Sequence, residues 1–145
     1  MGGQPFNNTK GKSFQMILFD TSVWINFFSE KSSRQVSILE SLIEEGEDLC
    51  LCGVVLTEVL QGIRDNRQYN KTKSILSNLI FLPMNRNTFF YAATIYRTLR
   101  TQGITIRNSV DCMIAAVCIE NKVLLLHNDK DFNLIENHFS LRVLK

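Results

Sequence analysis

Apolar residues gather in short unbroken runs along this chain, at 16–19, 49–52, 80–83 and 123–126, and between them they recur every three or four positions. Short apolar runs bounded by polar residues read as strands buried on both faces, and the wider spacing reads as amphipathic helix. Helices are predicted over 22–30, 33–45, 54–63, 69–79, 87–101 and 108–120, with a short one over 132–137. In 33–45 the stripe is Val36, Leu39, Leu42 and Ile43, and Gly46 is its stop; Gly103 closes 87–101. A last strand is predicted over 141–144. Strand and helix in alternation predict an α/β fold, a central parallel sheet of about five strands flanked by helices.

Composition narrows this picture. A chain of 145 residues fits one domain, able to remove roughly 70% of its unfolded surface from water. Hydrophobic residues make up 45% and charged residues 21%, near globular averages, and no apolar run approaches the ~20 residues that span a bilayer. A soluble domain without a membrane role is expected. Residues 1–15 are rich in Gly and Asn and lack apolar period, so they are expected to form a flexible extension before a folded unit over 16–145. Cys50, Cys52, Cys112 and Cys118 have no C-x-x-C spacing and read as reduced core thiols, which suits the cytoplasm. The net charge of +2 neither demands nor forbids a nucleic-acid partner.

Candidate chemistry lies where apolar runs give way to polar residues. Asp20 follows Met16-Ile17-Leu18-Phe19, Glu58 follows Val54-Val55-Leu56-Thr57, Asp111 closes Asn108-Ser109-Val110-Asp111, and Asp129 follows Leu124-Leu125-Leu126-His127-Asn128, with Asp131 two residues on. In an α/β sheet the loops after strands gather at one edge, where ligands bind. Each acid also has a plainer reading. Asp20 and Asp129 stand where helix caps stand, Asn108 and Asp111 resemble a capping box, and Glu58 suits a solvated helix face. Carboxylates brought together repel unless a cation or protons intervene. His127 is a candidate ligand, but the oxygen-rich donor set suits magnesium or manganese, and the only other histidine, His138, lies far off in a polar loop, which makes zinc a poor fit.

These residues in this order resemble the PIN-domain ribonucleases and, within them, the VapC-like toxins of toxin–antitoxin pairs. The resemblance runs from Met16 to Lys145. It rests on Ile17-Leu18-Phe19-Asp20-Thr21-Ser22-Val23-Trp24-Ile25, on Thr57-Glu58-Val59-Leu60-Gln61-Gly62, on Asp111-Cys112-Met113-Ile114-Ala115-Ala116 and on Asn128-Asp129-Lys130-Asp131-Phe132. One departure is His127, where such proteins usually carry a Thr or Ser that helps orient the acids.

The resemblance implies a PIN-like nuclease domain over 16–145. Asp20, Glu58, Asp111 and Asp129 would be catalytic and would hold Mg2+ or Mn2+, with Asp131 as an additional ligand and Ser22, His127 and Asn128 supporting them. Arg64, Arg67, Arg107 and Lys130 are candidate contacts to an RNA backbone. A homodimer is implied, as is a VapB-like antitoxin that sets apolar residues against Phe28 or Trp24 and a basic residue against the acids. A magnesium-dependent phosphoryl-transfer receiver or phosphatase is the competing class, but Ser22 stands where a second acid is wanted. A third reading is a PIN-fold RNA-binding scaffold with weak catalysis.

Overall fold

The computed structural model describes residues 16–145; the extension expected over 1–15 lies outside the described residues. Four parallel strands form one sheet: β1 (Ile17–Phe19), β2 (Leu49–Cys52), β3 (Ile80–Leu82) and β4 (Leu124–Leu126). Their order is β3-β2-β1-β4, with Ile17 opposite both Leu49 and Leu124. Parallel neighbours need crossovers, and helices supply them. These are α1 (Thr21–Phe28), α2 (Arg34–Glu44), α3 (Gly53–Gln61), α4 (Asn66–Leu76), α5 (Arg86–Thr101), α6 (Ser109–Asn121) and α7 (Lys130–Glu136).

The strands in the middle of the sheet are buried along their whole length, as their unbroken apolar runs require. On the edge strand β3, Ile80 and Phe81 are exposed and Leu82 alone faces the core. The fifth strand expected over 141–144 is reduced to a bridge between Leu125 and Val143. Leu125 N donates to Arg142 O and Leu144 N donates to Leu125 O, both at 2.9 Å, so the segment meets β4 at one residue and builds no ladder.

Capping residues set the helix starts more sharply than apolar spacing does. The helix expected over 69–79 begins earlier, because the Asp65 carboxylate accepts from Gln68 N at 2.8 Å. That expected over 132–137 begins at Lys130, because Asp129 caps it. The first helix stops at Phe28, and Glu30 just beyond turns to a positive φ of 59°.

Helix α6 contacts α3, α5, α7 and β4. It is buried nearly all round, at Asp111, Cys112, Ile114, Ala115, Ala116, Val117 and Cys118. Its alanines let neighbouring backbones approach closely, and the same burial draws Asp111 inside. All four cysteines are buried and free. Among the described residues no helix is long and apolar enough to cross a membrane.

Candidate functional site

The sheet order fixes where the site lies. Chain progression runs outward from β1 through β2 to β3, then returns to place β4 on the other side of β1. Loops leaving β1 and β4 therefore part in opposite directions, and a crevice opens between them at the carboxyl ends of the strands. The two strand ends are tied directly, since Asp20 N donates to Leu126 O at 3.0 Å. Asp20 leaves one strand there, and His127, Asn128 and Asp129 leave the other.

Asp20 takes the N-cap position of α1, yet its carboxylate closes no capping hydrogen bond. It is buried, and Ser22 Oγ donates to its Oδ2 at 2.8 Å. Burial raises its pKa from the ordinary aspartate value; the Ser22 hydroxyl and the nearby Thr21 and Ser22 amides oppose the rise, and the Asp129 charge adds to it.

Asp111 lies in the first turn of α6, where Asn108 Oδ1 caps the helix by accepting from Val110 N at 3.1 Å. The Asp111 side chain takes no part in that cap. Its Oδ2 is buried and finds no hydrogen-bond partner among the described residues. Its pKa is pushed up to about 8, first by burial and then by the charges of Asp20, Asp129, Asp131 and Glu58. Four carboxylates from three other chain segments thus act on a single buried one.

Asp129 caps α7, its Oδ1 accepting from Asp131 N at 2.9 Å. Asp131 is buried, and its Oδ2 accepts from Arg107 N at 3.1 Å. Asp111, Asp129 and Asp131 each offer an oxygen within 4.8 Å of the others. Such an all-oxygen set, with one buried oxygen unpartnered, fits a hard divalent cation. The Arg107 guanidinium comes to the rim of this cluster, Nη2 at 3.4 Å from Asp129 Oδ1 and Nε at 3.7 Å from Asp131 Oδ1.

Glu58, half-buried on α3, stands outside that tight group of three but within electrostatic reach of Asp111. Thr21 Oγ1 donates to its Oε1 at 2.6 Å. The sequence assigns Thr21 no role beyond its place in a motif; the signal it offers is a hydroxyl directly after a strand-end acid. His127 Nδ1 accepts from Asp129 N at 3.1 Å, which assigns the ring proton to Nε2. That Nε2 is buried without a partner among the described residues, and the ring lies 4.9 Å from Phe132. Burial lowers the His127 pKa, against the opposing charges of Asp129 and Glu136. Asn128 and Lys130 are exposed beside the acids.

Arg64 and Arg67 are brought to a different place. Both are exposed around the turn from α3 into α4, where Arg64 joins Ile25, Phe28, Val59 and Ile63 in lining a groove of about 300 Å³. Trp24 does not reach this groove. It is fully buried, edge-on to Phe19 and Phe27 and stacked on Phe28 at 5.9 Å, which removes it from the surface offered to a partner. The exposed apolar residue of α1 is Ile25 instead, at 43%.

The PIN domain family model matches residues 17–137. The VapC ribonuclease Mb1587 of Mycobacterium bovis is 34% identical over 122 residues, covering 83% of this chain and 91% of that protein. Ribonuclease VapC11 of Mycobacterium tuberculosis matches to the same extent, 34% over 122 residues with 83% and 91% covered. The crystal structure of VapBC2 from Rickettsia felis, bound to a DNA fragment from the promoter, superposes with a TM-score of 0.71. Identity there is 22%, and the match covers 90% of this chain and 98% of that one.

Proposed function

The chain belongs to the PIN-domain family, and from that membership we infer that it is a divalent-metal-dependent ribonuclease, the toxin of a type II toxin–antitoxin pair. The observation that carries the reading is the unpartnered Asp111 Oδ2, whose burial, together with the carboxylates around it, raises the Asp111 pKa to about 8. A lone buried carboxylate has no structural reason to gather four like charges about it.

In this reading the nuclease domain spans 16–145. Asp20, Glu58, Asp111 and Asp129 hold Mg2+ or Mn2+, and Asp131 joins them. Such an ion, when bound, lowers the pKa of its water and offsets charge at the phosphate under attack. The protein's own groups orient the acids: Ser22 holds Asp20, Thr21 holds Glu58, and His127 holds the Asp129 amide. Asn128 offers an exposed amide to a phosphate oxygen. Arg107 and Lys130 meet the RNA backbone beside the acids, whereas Arg64 and Arg67 stand apart from them around the turn from α3 into α4. Hydrolysis by water leaves a 5′-phosphate and a 3′-hydroxyl.

The groove of Ile25, Phe28, Val59 and Ile63 receives an apolar segment of a VapB-like antitoxin. The relatives named VapC and the VapBC complex support this partner. A second copy of the chain packs on α5, where Phe89 and Phe90 are exposed. Free buried cysteines fit a cytoplasmic protein.

Cleavage of a labelled RNA with Mg2+ or Mn2+, repeated in excess EDTA, tests the central reading. Activity is expected to vanish on chelation and to return with added metal. Undiminished cleavage in EDTA overturns it.

A further inference from the structure

Arg107 precedes α6 and touches the acid cluster in two independent ways. Its main-chain N–H donates to Asp131 Oδ2 at 3.1 Å, a bond that any residue except proline can make at that position. Its side chain adds the guanidinium contacts, 3.4 Å to Asp129 Oδ1 and 3.7 Å to Asp131 Oδ1. Those contacts are long and go to two different carboxylates, and the side chain is 75% exposed. Ion pairs of this kind are weak and readily exchanged. The carboxylate orientation thus rests on the main chain, and the guanidinium supplies only charge.

We propose that the Arg107 side chain is an exchangeable counter-charge, competing with the divalent ion for Asp129 and Asp131 and, once displaced, pairing with the RNA phosphate. The proposal rests on the ribonuclease reading above and adds a residue that couples metal loading to substrate capture. A divalent ion carries twice the charge of a guanidinium and approaches oxygen at roughly 2.0–2.6 Å, so it wins the competition and then repels its rival. The displaced side chain stays at the crevice mouth because its main chain is pinned to Asp131. Its planar fork matches phosphate geometry better than a lysine does.

Isothermal titration of the full chain with Mn2+ at low salt, comparing wild type with Arg107→Ala, Arg107→Lys and Lys130→Ala, measures the competition. Lys130 carries the same charge next to Asp129 but makes no ion pair with the cluster among the described residues. Fluorescence anisotropy of a labelled RNA, with Ca2+ in place of Mn2+, measures substrate capture. Arg107→Ala is expected to bind Mn2+ about three- to tenfold tighter and RNA about threefold or more weakly, the scale of one or two exposed ion pairs. Arg107→Lys falls between, and Lys130→Ala changes Mn2+ affinity less than about twofold. Opposite movement of the two affinities is a signature that loss of structure does not produce. Unchanged or weaker Mn2+ binding by Arg107→Ala, an equal gain in Lys130→Ala, or undiminished RNA binding overturns the proposal while leaving the nuclease reading intact. Failure of the wild type to take up Mn2+ overturns both.

Discussion

Thr21 Oγ1 and Glu58 Oε1 lie 2.6 Å apart, a hydrogen bond that ties the first residue of α1 to α3 across 37 positions of sequence. Glu58, like Asp20, stands outside the tight group of three, and a hydroxyl from the residue after Asp20 aims it. Thr21→Val keeps the shape and deletes the donor. Single-turnover RNA cleavage by this variant should fall about tenfold, with stability lowered by about 1 kcal/mol, and Thr21→Ser should restore it. A Thr21→Val enzyme as fast as the wild type would show that Glu58 needs no such hold.

Asp111 links stability to pH. Its folded pKa near 8 lies above the ordinary carboxylate value, so between those two values the folded state binds more protons than the unfolded one. Stability of the chelated protein therefore falls as pH rises from about 4 to 8, and raised Asp20 adds in the same direction. Asp111→Asn should flatten this slope and melt at higher temperature than the chelated wild type at pH 8. Melting curves across pH with EDTA check both statements; a chelated wild type that grows more stable from pH 5 to 8 contradicts them.

Metal uptake should release protons. At neutral pH Asp111 is largely protonated by its own environment, and a cation binding its Oδ2 must expel that proton. The heat of Mn2+ binding at pH 7 should then vary with the ionisation enthalpy of the buffer, and the variation should disappear in Asp111→Asn. Buffer-independent heats in the wild type would refute the assignment.

Asp20→Asn removes one charge from a crowded crevice while keeping volume and the Ser22 contact. Cleavage should fall by at least about a hundredfold, and the chelated variant should melt no lower than the wild type. A folded variant with wild-type cleavage would remove Asp20 from the site.

Ile25→Asp places a charge in the apolar groove without touching the acids. Capture of a VapB-like antitoxin should weaken by about tenfold or more, while RNA cleavage by the free protein stays unchanged. Equal capture by wild type and variant would place the antitoxin elsewhere.

What the chain shows openly and what it conceals divide along physical lines. Val123 to Leu126 and Leu49 to Cys52 read as strands because burial on both faces demands unbroken apolar runs. Leu141 to Leu144 is apolar apart from Arg142 but meets its neighbour at one residue, and no local pattern records how far a ladder extends. Trp24, Phe27 and Phe28 announce a packed helix face by their spacing, and Ile25 is left to face the groove. The Asn108-x-x-Asp111 pattern reads as a capping box; Asn108 makes the cap and frees Asp111 for the interior. The Thr21 hold on Glu58 and the Arg107 guanidinium at Asp129 are contacts between remote segments, created only when the sheet closes.

The pairing of Ile17 with Leu124 has a temporal meaning as well. Protein chains emerge from the ribosome N-terminus first, and a contact between distant segments waits for the later one. Asp20 and Glu58 are made early, but the strand that carries Asp129 and Asp131 to them is translated after the other three strands of the sheet. A nascent or prematurely terminated chain ending before Leu124 lacks both that strand and those two acids. On the proposed site, such a chain is expected not to cut RNA, the ribosome's own included, until the fourth strand and its two acids have been made.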